Sequence, residues 1–274
     1  MVTKLDTVIS LVIMKHIISL SGGIGSFYTL QRVLEKQDKK DVVCVFCDTL
    51  AEDGDLYRFL DDIEKHFEIS IVRITQGMTP FELAFKDRFL FNSRVANCSR
   101  KLKSKPFNEW LKNNYSPEEC VLYLGIDWTE THRKDAIERN YKPYKVDFPM
   151  CEKPYISKYE MIDGLKEVGI EIPRMYKLGF QHNNCKGCCF KGGVGHYKLL
   201  LEKDRNTYLE MENKEEMLRK TLGKDVSILK NYTLRELREI VDNQPKQLTL
   251  FECQDFGGCG CFVDGLNDEK GDTE

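Results

Sequence analysis

No apolar run in these 274 residues approaches the ~20 needed to cross a membrane as a helix. The longest, Val8–Met14, has a serine inside it and neither a basic segment before it nor a small-residue cleavage site after it, so no secretory leader is expected. Positive charge is not in excess: 41 Lys+Arg stand against 44 Asp+Glu, a net charge of −3 with histidines neutral. That excludes a protein that coats nucleic acid through a global basic field. Internal repeats and low-complexity tracts are absent too, which excludes a collagen-like chain. What remains, 41% hydrophobic and 31% charged residues, is the composition of a folded chain. Its length suits one large domain, or a domain with a sizeable appendage.

Cysteine is plentiful, and its distribution matters more than its number. Five of the eleven, Cys44, Cys47, Cys98, Cys120 and Cys151, are scattered, whereas Cys185, Cys188 and Cys189 cluster, as do Cys253, Cys259 and Cys261. A disulfide-rich secreted scaffold is usually shorter and lacks such grouping. The odd count and the missing leader point to a reducing cytoplasm, where clustered thiols mean metal or redox chemistry. Cys185-x-x-Cys188-Cys189 and Cys259-x-Cys261 offer thiolates from two distant segments, acceptable to tetrahedral zinc or to a [4Fe–4S] cluster. A disulfide or inert core thiols are the bland alternative.

Along the chain, His16–Leu20 is an apolar run ending in Ser21-Gly22-Gly23, and Gly25–Lys36 reads as a helix. Asp41–Cys47, Ile69–Ile74 and Val121–Gly125 are further strand-like runs, of the kind buried on both faces of a parallel sheet. Leu56, Phe59, Leu60, Ile63 and Phe67 recur at helical spacing between two of them, and Glu130–Asn140 reads as another helix. The fold class is therefore α/β: a Rossmann-like parallel sheet with helices on both faces. Beyond Pro149 the strand pattern stops. Lys158–Val168 (closed by Gly169), Leu199–Leu222 and Thr233–Val241, with a Thr233-to-Glu236 capping signal, read as helices. The expected organisation is an α/β domain over 14–150 and a C-terminal helical, cysteine-bearing appendage with an acidic tail over 151–274. Residues 1–13 would be an extension, since Met14 opens directly on the first strand; an extra edge strand is the alternative.

Between the first strand and the first helix lies Ser21-Gly22-Gly23-Ile24-Gly25-Ser26. Glycines let backbone approach a ligand closely, and the serine hydroxyls, loop N–H groups and helix N-terminus together form an anion cradle. It is neither a Walker A loop nor G-x-G-x-x-G. Two charge runs flank the later elements. Residues 48–68 carry eight acids against two bases, a pattern usual for a solvated helix face. Residues 86–112 carry eight lysines and arginines against two acids beside Phe89, Phe91 and Trp110, which suits nucleotide phosphates or a nucleic-acid backbone.

The loop resembles the Ser-Gly-Gly-x-Asp-Ser loop of the PP-loop ATP pyrophosphatases (adenine nucleotide α-hydrolase-like proteins), matched here by Ser21, Gly22, Gly23 and Ser26. Within them the chain is similar to the PAPS reductase-like branch. Cys47-Asp48-Thr49 with Glu52 and Leu56-Tyr57-Arg58-Phe59 resembles its Asp-Thr segment. Cys98-Ser99-Arg100-Lys101-Leu102-Lys103 with Pro106 resembles its Cys-x-x-x-Leu-Lys-x-x-Pro element, and Gly125-Ile126, Glu130 and Arg133 its Gly-Ile-x-x-x-Glu-x-x-Arg element. His182-Asn183-Asn184-Cys185 through Cys189, with Gly192 and Gly193, resembles the cysteine knuckle of uncharacterised, often phage-encoded members. The resemblance covers roughly residues 14–262, and its strength is the order of several weak motifs. Gly25 departs from it, standing where the family usually has Asp, and Ile24 where many members have Lys.

The resemblance implies binding of ATP, or of a PAPS-like adenine nucleotide, with Mg²⁺, through Ser21, Gly22, Gly23, Gly25, Ser26, Asp48 and Gly125. It implies catalysis by Asp48, Cys98, Arg100, Lys103, Glu130 and Arg133, with Cys98 a reactive thiol among basic neighbours. Each has a bland alternative: Asp48 as a helix-capping carboxylate, Glu130–Arg133 as a surface ion pair, Cys98 as a buried thiol. The knuckle spacing favours Cys185 and Cys189 as zinc or [4Fe–4S] ligands with Cys259 and Cys261, leaving Cys188 spare. The implied reaction is adenylylation of an acceptor, a nucleic acid or a small molecule, with pyrophosphate release. Sulfur transfer or nucleobase modification would follow, with a sulfur-donor or reductant protein as a further partner. A reductase of phosphoadenylyl sulfate ranks lower, because Phe251-Glu252-Cys253-Gln254 contains Glu-Cys but lacks the Gly and His of the reductases' Glu-Cys-Gly-x-His segment. A nucleotide-binding module without turnover is the third reading, suggested by Gly25.

Overall fold

The computed structural model describes residues 13–90 and 97–243. All but the last residue of the expected extension over 1–13, with its edge-strand alternative, and the tail that carries Cys253, Cys259 and Cys261 lie outside the described residues.

Five strands, β1 (Lys15–Leu20), β2 (Val42–Asp48), β3 (Ile71–Thr75), β4 (Cys120–Leu124) and β5 (Lys145–Asp147), form one sheet in the order β3-β2-β1-β4-β5. Every pairing is parallel, with Ile17 opposite Val43 on one side and Leu122 on the other. Successive strand residues point to opposite faces. Ile18, Cys44, Phe46 and Tyr123 accordingly pack under α1 (Ile24–Leu34) and α2 (Gly54–Phe67). Ile17, Val45, Leu122 and Leu124 pack on the other face against α4 (Lys105–Asn114) and α5 (Lys134–Tyr141) through Phe107, Leu111, Ile137 and Tyr141. Burial on both faces is why the strands read as unbroken apolar runs. This is the Rossmann-like architecture the family resemblance implies. Strand β5 was not expected: three residues of mixed polarity at a sheet edge carry no readable period.

The helical half is less separate than the composition shift at Pro149 suggests. Helix α6 (Lys158–Glu167) sends Met161 and Leu165 into the core under α1 and α2. There Tyr28 donates its hydroxyl hydrogen to the Met161 carbonyl at 2.7 Å, and a Cβ at Gly164 would run into that hydroxyl. In exchange α3 (Pro80–Asp87), from the first half, joins the apolar core of α8 (Val194–Lys203), α9 (Arg205–Leu222) and α10 (Leu234–Asn243). A short helix, α7 (Arg174–Lys177), lies between. Two expected helices differ in detail. The stretch Leu199–Leu222 breaks at Asp204, which leaves the helical conformation and caps α9, its carboxylate accepting from the Thr207 N–H. Glu130–Asn140 opens as a 3₁₀ turn, Trp128–Arg133, capped by Asp127, before α5 proper begins. Among the described residues no helix is long and apolar enough to cross a membrane.

Candidate functional site

In an open α/β sheet the crevice for a ligand lies beyond the C-terminal strand ends, where the strand order reverses. Here that point falls between β1 and β4, and it opens on a cavity of about 110 Å³. Ser19 to Ser21 and Gly23 form one wall and Leu124 to Ile126 another. Lys103, Glu130 and Arg133 line it as well, and Tyr176, His182, Asn183 and Asn184 close it from the helical half. Whole-ligand pockets run to ~300–1,000 Å³. The enclosed part is therefore the size of a small group such as a phosphate and not of a whole ligand.

The loop's geometry is built by its glycines. Gly22 has φ +74°, and a Cβ there would stand 2.7 Å from Leu56 side-chain carbons, so only glycine passes between α2 and the cavity. Gly23 is extended at the N-cap of α1, with the Tyr176 hydroxyl oxygen 3.1 Å from where a Cβ would sit. Ser26 turns its hydroxyl inward, donating to the Gly23 carbonyl at 2.7 Å, and so closes the loop rather than lining the cavity. Gly125 is required by packing: a Cβ would meet the Thr29 hydroxyl oxygen at 3.0 Å and the Ser26 Cα at 3.3 Å. At Gly25 a Cβ would make ordinary contact with the Gly125 carbonyl at 3.5 Å, so glycine at this position is not dictated by space.

Glu52 ties the site's segments together. Its carboxylate accepts from the Lys103 ammonium at 3.1 Å, the Thr49 hydroxyl at 3.0 Å and the Cys185 N–H at 2.6 Å. The Glu52 side chain is 0% exposed and that of Lys103 9%, so the pair is desolvated. Two more contacts fasten the helical half to the loop. The Asn183 side-chain amide donates to the Gly22 carbonyl at 2.9 Å, and Asp53 pairs with Arg174. Asp48 stands outside the cavity wall, accepting from the Leu50 N–H and the Tyr57 hydroxyl, both at 2.8 Å. The cap of α2 is Asp53, which accepts from the Asp55 N–H, and not Asp48. Burial, and next the hydrogen bond to Asp48, push the Tyr57 hydroxyl pKa up.

Across the cavity Arg133 pairs with Glu130. At i, i+3 this pair reads as a surface contact, yet the Arg133 side chain is only 10% exposed and both residues face the cavity. His182 is held toward its neutral form by desolvation, then by the charges of Lys158 and Arg133, with Glu130 opposing.

Among the described residues the basic run does not converge on the cavity. Lys103 lines it, while Lys101 pairs with Asp87 at 3.0 Å and Arg88 donates to the Thr221 carbonyl at 3.2 Å. Arg100 is not part of the cavity wall. Residues Arg100–Ser104 form a π-helical turn entering α4, which admits Pro106 without a clash against the preceding turn.

Of the thiols, Cys47 lines the cavity, but desolvation pushes its pKa up to about 12, so it is a neutral wall group. Cys98 sits elsewhere, within electrostatic reach of Cys185 beside Cys189. Burial raises the pKa of Cys185 well above the ordinary thiol value and that of Cys188 to about 12, with Lys103 opposing at the first and Lys214 and Lys186 at the second. Among the described residues no group of three or more His, Cys, Asp or Glu stands ready to hold a metal. The expected ligands Cys259 and Cys261 lie outside the described residues. Glu52, His182 and Asn183 were not expected as site residues. Glu52 follows Thr49 by three in the Asp-Thr segment, and His182-Asn183 precedes the knuckle, so both carried a signal; Tyr176, one aromatic in a four-residue helix, carried none.

No family model matches the chain. It is 25% identical over 174 residues to an uncharacterized protein of Methanocaldococcus jannaschii, a match taking in 62% of this chain and 35% of that relative, so it spans about a third of the relative's length. Among solved structures it is similar to the crystal structure of phosphoadenylyl-sulfate (PAPS) reductase from Candida auris, phosphate complex. That similarity has a TM-score of 0.45 and 14% identity, and covers 61% of this chain and 79% of that one.

Proposed function

We propose that the chain is a PP-loop enzyme of the PAPS reductase-like kind, which binds ATP or a related adenine nucleotide in this cavity and adenylylates an acceptor. The observation that carries this reading is the position of the Ser21–Gly23 loop. It joins β1 to the N-terminus of α1 at the reversal of strand order, facing Lys103 and Arg133 across the cavity. An acceptor oxygen attacks the α-phosphorus, the bond from that phosphorus to the α–β bridging oxygen breaks, and pyrophosphate leaves. Loop N–H groups and the two cations would stabilise charge on the phosphates. Mg²⁺ usually takes one or two carboxylates plus substrate phosphates, and Glu130 is the carboxylate of the cavity wall that suits it.

The knuckle residues Cys185 and Cys189, with Cys259 and Cys261, are the proposed ligands of zinc or an iron–sulfur cluster, Cys188 being spare. Anaerobically purified protein should carry about one zinc or one cluster, lost in Cys259→Ser. Metal-free protein would leave the thiols as core or redox groups. The acceptor, a nucleic acid or a small molecule, is sought by incubating the protein with ATP and candidate acceptors and measuring pyrophosphate. Acceptor-dependent pyrophosphate release supports the reading. Thiol-dependent sulfite formation from phosphoadenylyl sulfate would replace it with reduction, and nucleotide binding without either product would make the chain a binding module.

A further inference from the structure

One buried polar atom at the cavity has no hydrogen-bond partner and no part in the chemistry above. Asn183 is 2% exposed and lines the cavity. Its Nδ2 donates to the Gly22 carbonyl at 2.9 Å, while its Oδ1 is buried and unpartnered. The amide's orientation follows from chemistry: a carbonyl oxygen only accepts, so the NH₂ end must face Gly22 and the oxygen must point away from it. A buried acceptor left unsatisfied costs about 1–3 kcal/mol. The residue is held in this pose from both sides, since Glu52 accepts the Cys185 N–H two residues on and the loop holds the amide itself.

We infer that Asn183 Oδ1 is a specificity-determining acceptor that receives a ribose hydroxyl of the bound nucleotide; this rests on the nucleotide-binding reading above. The choice of donor follows from position. One planar amide links Oδ1 to the Gly22 carbonyl of the phosphate loop, so whatever it bonds lies within a few ångströms of the phosphates. In an adenine nucleotide the O–H donors nearest the phosphates are the ribose hydroxyls, and the adenine amino group lies farther along. The cations of the wall, Lys103 and Arg133, would take the phosphate oxygens and offer nothing a hydroxyl hydrogen could bond. Asn183 thus adds to the loop what the loop lacks, an unpartnered acceptor for a sugar hydroxyl.

The test is a cycle run on the full chain by calorimetric titration with ATP, 2′-deoxy-ATP and 3′-deoxy-ATP, on the parent and on Asn183→Ala. The parent should bind one deoxy analogue roughly tenfold more weakly than ATP, and Asn183→Ala should bind ATP and that analogue alike. The parent half needs no variant, so a destabilised Asn183→Ala does not block the test. Equal affinity of the parent for all three nucleotides would assign Oδ1 to water and overturn the inference while leaving the proposed function standing. A deoxy penalty that persists unchanged in Asn183→Ala would place the hydroxyl's partner elsewhere and also overturn it. Binding of none of the three would overturn the proposed function itself, and the inference with it.

Discussion

The two walls of the cavity are made in opposite ways. The sheet wall is local: β1 runs into Ser21-Gly22-Gly23 and α1, and β4 runs into Gly125-Ile126, so neighbours in sequence become neighbours in space. The helical wall is remote: Tyr176, His182 and Asn183 come from beyond α6 and are fastened to the loop and to Glu52 by individual side chains. A wall built from strands and a glycine turn is held by backbone pairing and burial on two faces. A wall docked from a distance meets the loop through a few polar contacts, added to the burial of Met175 and Phe180 beside it.

Glu52 is where the comparison breaks most visibly. Glu52→Ala leaves the Lys103 ammonium buried without its carboxylate and strips the Cys185 N–H of its acceptor. Removing one partner of a buried pair costs about 3–5 kcal/mol. Urea unfolding should show a loss of that size, and proteolysis should cut residues 174–189 before the sheet domain. A loss under about 1 kcal/mol, with the segment still protected, would mean that apolar packing docks the helical wall.

Gly22→Ala strikes the local wall instead. Its φ of +74° and the Leu56 carbons 2.7 Å from the added Cβ predict a cost of about 1–3 kcal/mol, read in the same urea experiment. An unchanged midpoint would show that the loop has another conformation to fall into.

The same contrast explains what the sequence made legible. The strands announced themselves through β-branched apolar runs, because both faces of the sheet are covered, and the loop through Ser21-Gly22-Gly23 at a strand end. Gly125 was legible as a site residue, although packing against Thr29 accounts for it equally. The basic run was legible as charge but not as direction: Lys101 and Arg88 find partners on other elements, and only the position of Lys103 on the turn before Pro106 brings it to Glu52. Helix α3 was not expected, although its capping box of Thr79 with Glu82 beside Pro80 is a local signal; β5, three residues long, had nothing to read. Tyr176 and Asn183 reach the site through tertiary docking, which no local period encodes.

The smallest expected effect compares the two regions by pH. His16 in β1 and His196 in α8 both have pKa values lowered chiefly by burial. A histidine whose folded pKa lies below its unfolded value of ~6.5 stabilises the fold fully above that pH, and the contribution is lost as pH falls through 6.5 toward the folded value. At pH 5.5 the loss is at most about 1.4 kcal/mol per histidine. His196→Gln should flatten part of the decline in urea midpoint between pH 7.5 and 5.5, and His16→Gln another part. A slope unchanged by either variant would assign the pH dependence to other groups.

The central claim, that the Ser21–Gly23 loop holds nucleotide phosphates against a wall docked from the helical half, is tested most directly by titrating ATP into the parent and into Gly23→Ala. Gly23 has a backbone conformation that alanine adopts freely, so the variant should fold, while its Cβ displaces the Tyr176 hydroxyl and occupies the approach to the loop. The predicted result is one ATP site in the parent and an affinity roughly tenfold lower or worse in Gly23→Ala, which still unfolds cooperatively with only a small drop in midpoint from the displaced Tyr176 contact. Equal affinity in the two folded proteins, or no ATP binding to the parent, would contradict it.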